Sequence, residues 1–185
     1  MKRLTLTALA SVAVSQAFAF NLLQNPGFET GALNPWFNAR DFGGISPWAP
    51  TNFFPHTGNF CATSVGNIEL RQDVAPTLGS NIVEVSFWAR HPDSGGQPLA
   101  YDLFYSDSTD FESVVVTSSD VWEHFDVTAD VDPTKTLVAF TVWGYLGGGS
   151  QTTYVDDALI EVVPEPVSMA CLSVGILALL RRRKK

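Results

Sequence analysis

Short apolar runs separated by turn residues fill the middle of this 185-residue chain, and no stretch between residues 20 and 163 holds a helical period. The runs are rich in Val, Phe, Tyr, Trp and Thr, which favour strands. Turn residues cluster between them, at Asn25-Pro26-Gly27, Thr57-Gly58-Asn59, Pro92-Asp93-Ser94-Gly95-Gly96, Asp132-Pro133 and Gly147-Gly148-Gly149-Ser150. Closely spaced short strands predict an all-β domain with two packed sheets.

Alternation of apolar and polar residues predicts about eight or nine strands. They are expected at 20–24, 59–65, 67–74, 82–91, 98–105, 111–117, 121–128, 136–145 and 154–163. Core faces are predicted for Val83, Val85, Phe87 and Ala89; for Val121, Phe125 and Val127; and for Val138, Phe140 and Val142. Residues 38–56 lack this pattern and are predicted to form a long aromatic loop, a type that is usually functional or disordered.

The strand-rich segment is strongly acidic. Residues 20–163 keep 18 of the 19 acidic residues but only four of the 11 basic ones, which gives a net charge of −14. Such a surface repels phosphate backbones and argues against nucleic-acid binding. It suits neutral ligands or divalent cations.

Cys61 is the only cysteine in this segment, because Cys171 lies in the C-terminal apolar block. The segment can therefore form neither an intramolecular disulfide nor a cysteine metal cluster. We expect Cys61 to be a small buried side chain. Stability must then come from core burial, with or without a bound ion.

The N-terminus has the three parts of a secretory signal peptide. Met1-Lys2-Arg3 is basic, residues 4–14 are apolar, and Ala17-Phe18-Ala19 is an A-x-A cleavage site. The sequence predicts a signal helix over residues 1–19 that signal peptidase removes after Ala19. A buried N-terminal helix is the alternative.

The C-terminus combines a short apolar segment with a basic end. Pro164-Glu165-Pro166 precedes apolar residues 167–180, and Arg181, Arg182, Arg183, Lys184 and Lys185 follow. Fourteen helical residues span roughly 21 Å, against about 30 Å for a bilayer core. The basic end should stay cytoplasmic while the domain lies outside. A processing signal with a single short transmembrane helix fits better than a permanent tail anchor, which is the alternative.

Residues 163–185 closely resemble the PEP-CTERM sorting signal, a tail also labelled as an ice-binding-protein C-terminal domain. The Pro-Glu-Pro motif, the short span and the basic end occur in the family's order. The resemblance implies that a membrane-embedded exosortase cleaves near the motif. The protein would then reach the surface or extracellular matrix of a Gram-negative bacterium. It predicts a sorting signal at 164–185 after a domain at 20–163.

Several motifs of the central segment resemble carbohydrate-binding modules with a galactose-binding-like jelly-roll fold. They occur in order, at Asn21–Glu29, Gly31 to Trp36, His56–Phe60, Leu70–Val74, Val85–Arg90 and Tyr154–Ala158. The resemblance implies a structural Ca²⁺ ion with Glu29, Gly58, Asp156 and possible Asp157 as ligands. Carboxylates and backbone carbonyls are suitable Ca²⁺ donors. The alternative is that Glu29 and Asp156 only accept hydrogen bonds from turns or the backbone.

A sugar site is predicted on a non-core face, since sugar binders combine aromatic faces with polar groups that bind hydroxyls. The candidate residues are Glu84, Trp88, Arg90, Trp143 and Tyr145, with Trp122 and His124 as extensions. Alternatively, Trp88 and Trp143 are core residues under a second layer or a covering loop.

No catalytic motif is present: His56, His91 and His124 are scattered, and nucleophile-elbow and Walker patterns are lacking. We therefore expect a non-enzymatic exported surface protein that associates with extracellular polysaccharide. The alternatives are a matrix or adhesion protein without a defined sugar ligand and a small polysaccharide hydrolase.

Overall fold

A computed structural model describes residues 18–92, 96–118, 120–147 and 149–163. Ala19–Val163 form one compact unit. The predicted sorting motif, apolar span and basic end lie outside the described residues, as does all but the last part of the predicted signal peptide. Among the described residues, no helix has the length and apolar character needed to cross a membrane.

The described residues form eleven strands and two 3-10 turns, at Gly79–Asn81 and Thr128–Asp130. The strands are β1 (Phe20–Asn21), β2 (Phe37–Asp41), β3 (Ser46–Thr51), β4 (Cys61–Val65), β5 (Ile68–Leu78), β6 (Ile82–Arg90), β7 (Gln97–Tyr105), β8 (Asp110–Thr117), β9 (Glu123–Asp126), β10 (Thr136–Tyr145) and β11 (Thr152–Val162).

Two antiparallel sheets are formed. The first sheet has the order β3-β4-β11-β6-β9, with β1 also paired to β11, and the second has the order β2-β5-β10-β7-β8. The predicted all-β sandwich is confirmed. Apart from β3–β4 and β7–β8, neighbouring strands in each sheet are not consecutive in the chain, so the fold depends largely on long-range pairing.

The core lies between the two sheets. Alternate residues of the central strands are fully buried there, including Leu70, Phe87, Leu103, Phe140 and Ile160. Burial of each such side chain contributes about 1.5–3 kcal/mol. The Phe87 ring packs against three neighbouring aromatic rings, those of Tyr101, Phe125 and Phe140, at centroid distances of 5.5–6.1 Å. This core fixes which residues point away from it, onto the two outer faces.

The prediction of an irregular loop over residues 38–56 is wrong, because β2 and β3 lie mostly within it. Both are strands at sheet ends with a register irregularity, and β3 contains Pro47 and Pro50. Proline is tolerated at a sheet edge, where its missing N–H has no partner strand. Trp48 anchors the segment, since its indole Nε1–H donates to the Ile68 carbonyl at 2.7 Å and its ring is buried.

β-Bulges explain why some side chains that were predicted to face the core do not. The β10 register shifts between Leu137 and Ala139, so Leu137 enters the core in place of Val138, while Phe140 and Val142 stay in it as predicted. Val83 is 47% exposed because the β6–β11 register shifts near the start of β6. An extra residue in one strand reverses the side-chain alternation beyond it.

Two predicted strands are also shorter than expected. β1 holds only Phe20–Asn21, and β9 begins at Glu123, which leaves Val121 exposed.

Candidate functional site

The five predicted sugar-binding residues do not form one face. Glu84, Trp88 and Arg90 lie on β6 of the first sheet, whereas Trp143 and Tyr145 lie on β10 of the second. The prediction of a common face is therefore corrected. Alternation distinguishes the two sides of one strand, but it does not show which sheet the strand joins.

The Arg40 face is the outer face of the second sheet, defined by Arg40, Glu69, Asp102, Thr141 and Trp143. Thr141 lies opposite Asp102 on β7, and Trp143 lies opposite Glu69 on β5. Their outward side chains therefore meet across the three central strands.

Asp102 lies at the centre of this face. Its Oδ2 accepts hydrogen bonds from the Trp143 indole Nε1–H at 2.7 Å and the Thr141 hydroxyl at 3.1 Å. Its Oδ1 is buried without a hydrogen-bond partner among the described residues. Burial raises the pKa of Asp102 to about 6; the two hydrogen bonds oppose the shift, and the charges of Glu112 and Glu69 add to it.

Arg40 joins the acidic groups. Its Nε lies 2.5 Å from Oε2 of the fully buried Glu69, and its Nη2 lies 3.9 Å from Oδ2 of Asp102. The hydrogen bond to Glu69 raises the pKa of Arg40, against the effect of burial. About half of the Arg40 side chain remains exposed, and its guanidinium carbon lies 5.2 Å from the Trp143 ring centroid and 5.9 Å from that of Phe42.

Phe42 covers Trp143. Their rings stack with centroids 4.9 Å apart and an interplanar angle of 24°. Phe42 is 54% exposed and Trp143 only 8%, so Phe42 presents its ring to solvent. The Asp41 carboxylate holds the following turn by accepting from the Gly43 and Gly44 amides at 2.9 and 2.7 Å. This geometry matches the alternative that a loop covers Trp143.

A cleft of about 240 Å³ lies beside Arg40. Its wall comes mainly from β2 and the loop to β3: Asn38, Ala39, Arg40, Asp41, Gly44, Ile45, Pro47 and Ile68. Since ligand pockets usually measure about 300–1,000 Å³, this smaller cleft suits a unit of about one sugar ring.

Tyr145 lies apart from this site. It is half-buried, and its hydroxyl is so close to Gly147 that a Cβ there would lie 2.0 Å from it. Its ring meets the His91 ring edge to face, at 6.3 Å. Tyr145 therefore packs under the turn after β10.

The Trp88 face is the outer face of the first sheet, with Glu84, Trp88, Arg90, Trp122 and His124. The His56 ring stacks on Trp88 at 3.8 Å, and His124 lies 5.1 Å from Trp88. The Trp122 indole donates to the Phe54 carbonyl at 3.1 Å. These contacts tie the loop between β3 and β4 to the sheet.

The polar members of the Trp88 face also contact other groups, although Arg90 Nε is buried without a hydrogen-bond partner among the described residues. Arg90 lies 4.2 Å from the Phe54 ring centroid and is paired with Asp120 at 2.5 Å. The Glu84 carboxylate accepts from the Ser86 hydroxyl at 2.7 Å. Glu84, Trp88 and Arg90 thus contact other parts of the chain.

The predicted metal ligands surround Gly27. A Cβ at Gly27 would lie 3.2 Å from Asp157 Oδ1, 3.4 Å from Asp156 Oδ1 and 3.8 Å from Glu29 Cγ. Gly58 touches the Glu29 carboxylate, so a side chain at this positive-φ position would collide with it. The structure thus brings all four predicted residues together.

Backbone and side-chain groups occupy the oxygens of these carboxylates. Glu29 accepts from the Asn59 and Phe60 amides, which lower its pKa. Asp156 accepts from the His56 amide at 2.8 Å, while Asp157 contacts His56 Nδ1 at 2.8 Å. Within the described ranges, no group of three His, Cys, Asp or Glu side chains is arranged to hold a metal.

Burial of the Asp156 carboxylate makes its charged form unfavourable. It is fully buried, and burial raises its pKa to about 6, with the adjacent charge of Asp157 adding to the shift. Among the described residues, no ion pair is made to Asp156.

Sequence reasoning missed Arg40, Phe42, Glu69 and Asp102. Arg40 and Phe42 lie in the segment taken for a loop. Glu69 and Asp102 did carry a signal, because each places an acid inside a mostly apolar predicted strand. A charge in such a position is rarely buried without a partner.

No family model and no curated protein match the chain. Among solved structures, a family 61 carbohydrate-binding module in complex with β-1,4-galactotriose is 21% identical, with a TM-score of 0.57 over 76% of this chain and 97% of that one. A family 22 xylan-binding domain from Paenibacillus barcinonensis is 12% identical, with a TM-score of 0.56 over 84% and 99%. A family 16 carbohydrate-binding module is 17% identical, with a TM-score of 0.54 over 75% and 97%. At these identities the likeness shows the fold: a jelly-roll β-sandwich like that of carbohydrate-binding modules.

Proposed function

We propose that this protein is a non-catalytic, exported carbohydrate-binding protein that associates with extracellular polysaccharide through the Arg40 face. The observation that carries this proposal is the half-exposed Arg40 side chain, since Arg40 lines a sugar-sized cleft and also contacts Glu69, Asp102 and Trp143. The similar folds include modules whose ligands are sugars.

The chemistry of this face suits a neutral glycan. Arginine offers several N–H donors to ring and hydroxyl oxygens. The exposed Phe42 and Phe37 rings supply apolar surface for a pyranose face. Acidic residues outnumber the basic ones in the domain, so a glycan rich in carboxylates would be repelled.

Burial of the acids argues against hydrolysis at this face. A glycosidase needs two carboxyl groups that reach the glycosidic bond. Glu69 is fully buried and paired with Arg40, and Asp102 is 1% exposed. Neither acid is placed to contact a substrate bond.

Affinity electrophoresis of the full chain through gels containing a panel of neutral polysaccharides tests the proposal, in a detergent without a sugar headgroup. We expect at least one polysaccharide to retard the protein, and Phe42→Ala to lose most of the retardation. Phe53→Ala is the matched control, since Phe53 is also exposed (68%) but lies in the loop beside the Trp88 face. Unretarded migration through every gel, or equal retardation of both variants, would contradict the proposal. Shortening of the polysaccharide would instead support the hydrolase.

We also propose that a structural Ca²⁺ ion binds at Gly27, held by Glu29, Asp156 and Asp157 with the backbone of Gly58. The donor chemistry supports this proposal: the Asp156 and Asp157 carboxylates lie beside Gly27, the Glu29 carboxylate lies against Gly58, and buried Asp156 lacks a cationic partner in the described part of the chain. To bind the ion, these oxygens would exchange some of their present hydrogen bonds for it. When bound, the ion would neutralise these charges and tie the N-terminal segment to β11.

Thermal unfolding of the full chain in Ca²⁺ and in EGTA tests the ion. A ligand that binds only the native state must raise its stability. We expect a lower midpoint in EGTA for the wild type and little difference for Asp156→Asn, with Asp73→Asn as an exposed control that behaves like the wild type. Equal midpoints of the wild type in both buffers would exclude a tight site.

Export and sorting complete the proposal. Signal peptidase would remove residues 1–19, and an exosortase would process Pro164-Glu165-Pro166 while residues 167–180 span the inner membrane and Arg181, Arg182 and Arg183 stay cytoplasmic. The mature protein would reach the cell surface or extracellular matrix. Replacing residues 164–166 by alanines should block maturation, as seen by mass spectrometry of the C-terminus. Unchanged processing would contradict the sorting role.

A further inference from the structure

The free edge of β8 differs from the other strands at the ends of the two sheets. β3 contains Pro47 and Pro50, β9 has four residues, and β2 has five with a break in its register. Such features protect sheet edges from pairing with other chains. β8 has eight residues, no proline or lysine, and an unbroken register with β7 from Thr117 to Asp110. Among the strands that the structure describes at the sheet ends, it is the longest with a regular register, and its second half carries no charge.

The β8 edge is also apolar and accessible. Val114 is 50% exposed and Val116 57% exposed. Beyond its ladder with β7, the part of β8 from Asp110 to Val116 enters none of the other backbone–backbone hydrogen bonds found among the described residues. Alternate N–H and C=O groups of an edge strand point away from the sheet, so half of its backbone groups remain available for pairing.

We propose that β8 pairs antiparallel with β8 of a second copy of this chain. The pairing would join the five-stranded second sheet of one copy to that of the other, which gives one continuous sheet of ten strands. The charge pattern of β8 suits pairing with a second copy of the same strand. The acids of β8, Asp110 and Glu112, lie in its first half, and its second half is neutral. Antiparallel pairing places the acidic half of each copy against the neutral half of the other, whereas parallel pairing would place like charges opposite each other.

The register follows from the two sides of the strand. Glu112, Val114 and Val116 lie on the outer side, opposite Asp102, Ala100 and Pro98 of β7. A twofold axis perpendicular to the sheet places outer residues of one β8 opposite outer residues of the other. The axis must therefore pass midway between the two copies of one residue. With the axis at Val114, the two Val114 side chains meet, and each Glu112 lies opposite Val116 of the other copy. This register covers exposed valines without opposing two acids.

The pairing has a consequence that rests on the proposed function. A twofold axis perpendicular to the sheet leaves both Arg40 faces on the same side of the ten-stranded sheet. One polysaccharide chain could then occupy both faces, and binding of the second face would be intramolecular.

Two paired experiments on the full chain in detergent test the dimer without any sugar. In a Cys171→Ser background, Val114→Cys should form a disulfide-linked dimer on mild oxidation, because the register brings the two side chains together. Val83→Cys, 47% exposed on β6, is the control and should not. In sedimentation velocity, Val114→Lys should weaken the dimer at least tenfold, while Val83→Lys should match the wild type. Every variant retains the apolar C-terminal segment, residues 167–180, so any association through this segment would be the same in all of them.

A monomeric wild type, equal cross-linking at both positions, or a dimer that Val114→Lys leaves unchanged would overturn the proposal. A ladder of larger oligomers would contradict the closed twofold pair. Far-UV circular dichroism of each variant shows that it is folded. Because no sugar is present, failure of the proposed function would leave these results unaffected. If both the dimer and the proposed function hold, Val114→Lys should bind polysaccharide at least tenfold more weakly, while each monomer retains its own Arg40 face.

Discussion

Replacing Asp102 by asparagine should remove a large part of the acid stabilisation of this domain. Burial raises the pKa of Asp102 from its ordinary value of 3.8 to about 6 in the folded protein. Because the folded pKa lies above the unfolded one, the native state binds the proton more tightly. Asp102 therefore destabilises the fold above about pH 6, and this cost disappears as the pH falls towards about 4.

The magnitude follows from the shift. About two pKa units at 1.36 kcal/mol each correspond to about 3 kcal/mol in the free energy of unfolding. In EGTA, where no ion can hold Asp156, burial also raises its pKa to about 6, so it adds a similar gain over the same window. Asp102→Asn should abolish about half of the rise in the free energy of unfolding that Asp102 and Asp156 together produce as the pH falls.

Urea unfolding of the full chain in EGTA at several pH values between about 4 and 7 measures this difference. The wild type should become more stable as the pH falls, and Asp102→Asn should show a rise smaller by about 3 kcal/mol. The quantity compared is the change in the free energy of unfolding with pH. A pH-independent cost of the asparagine amide therefore cancels. Leu78→Ala, an exposed position on the same sheet that does not titrate, should keep the wild-type slope. An identical slope for Asp102→Asn would refute the assignment of the raised pKa.

Further expectations concern the core, a buried indole and the free thiol. Leu103→Ala should lower the free energy of unfolding by about 2–5 kcal/mol in urea titrations, because Leu103 is fully buried between the sheets; Val83→Ala should change it by less than about 0.5 kcal/mol. Trp48→Phe should cost about 1–3 kcal/mol by the same measurement, since the Ile68 carbonyl loses its indole donor. Cys61 should resist thiol reagents in the native Cys171→Ser protein and react on unfolding, because burial raises its pKa to about 12; rapid native labelling would contradict this.

The sequence predicted those parts of the fold that depend on local alternation. Val85, Phe87 and Ala89 alternate on β6 and are all fully buried, as predicted. The bulge between Leu137 and Ala139 was not predictable, because an inserted residue leaves no mark in the local pattern. β3 was hidden because its two prolines are typical of loops and are compatible only with an edge strand.

The candidate sugar site depended on information that local patterns do not carry. Arg40 and Glu69 are 29 residues apart, and only the pairing of β2 with β5 brings them together. Trp143 was identified from its residue type, but its cover by Phe42 follows from tertiary structure. The predicted metal ligands did come together because the resemblance carried the order of whole motifs, which reflects strand pairing.

The five tryptophans offer the most direct test of the claim that the Arg40 face binds polysaccharide. Each indole N–H gives a separate signal in a ¹H–¹⁵N spectrum of the full chain, which can be titrated with an oligosaccharide of the retained polymer. We predict that the Trp143 signal shifts, since its N–H donates to Asp102 on that face, while the Trp88 and Trp122 signals stay in place. Shifts of Trp88 and Trp122 with an unchanged Trp143 signal would contradict the account and place the ligand on the Trp88 face.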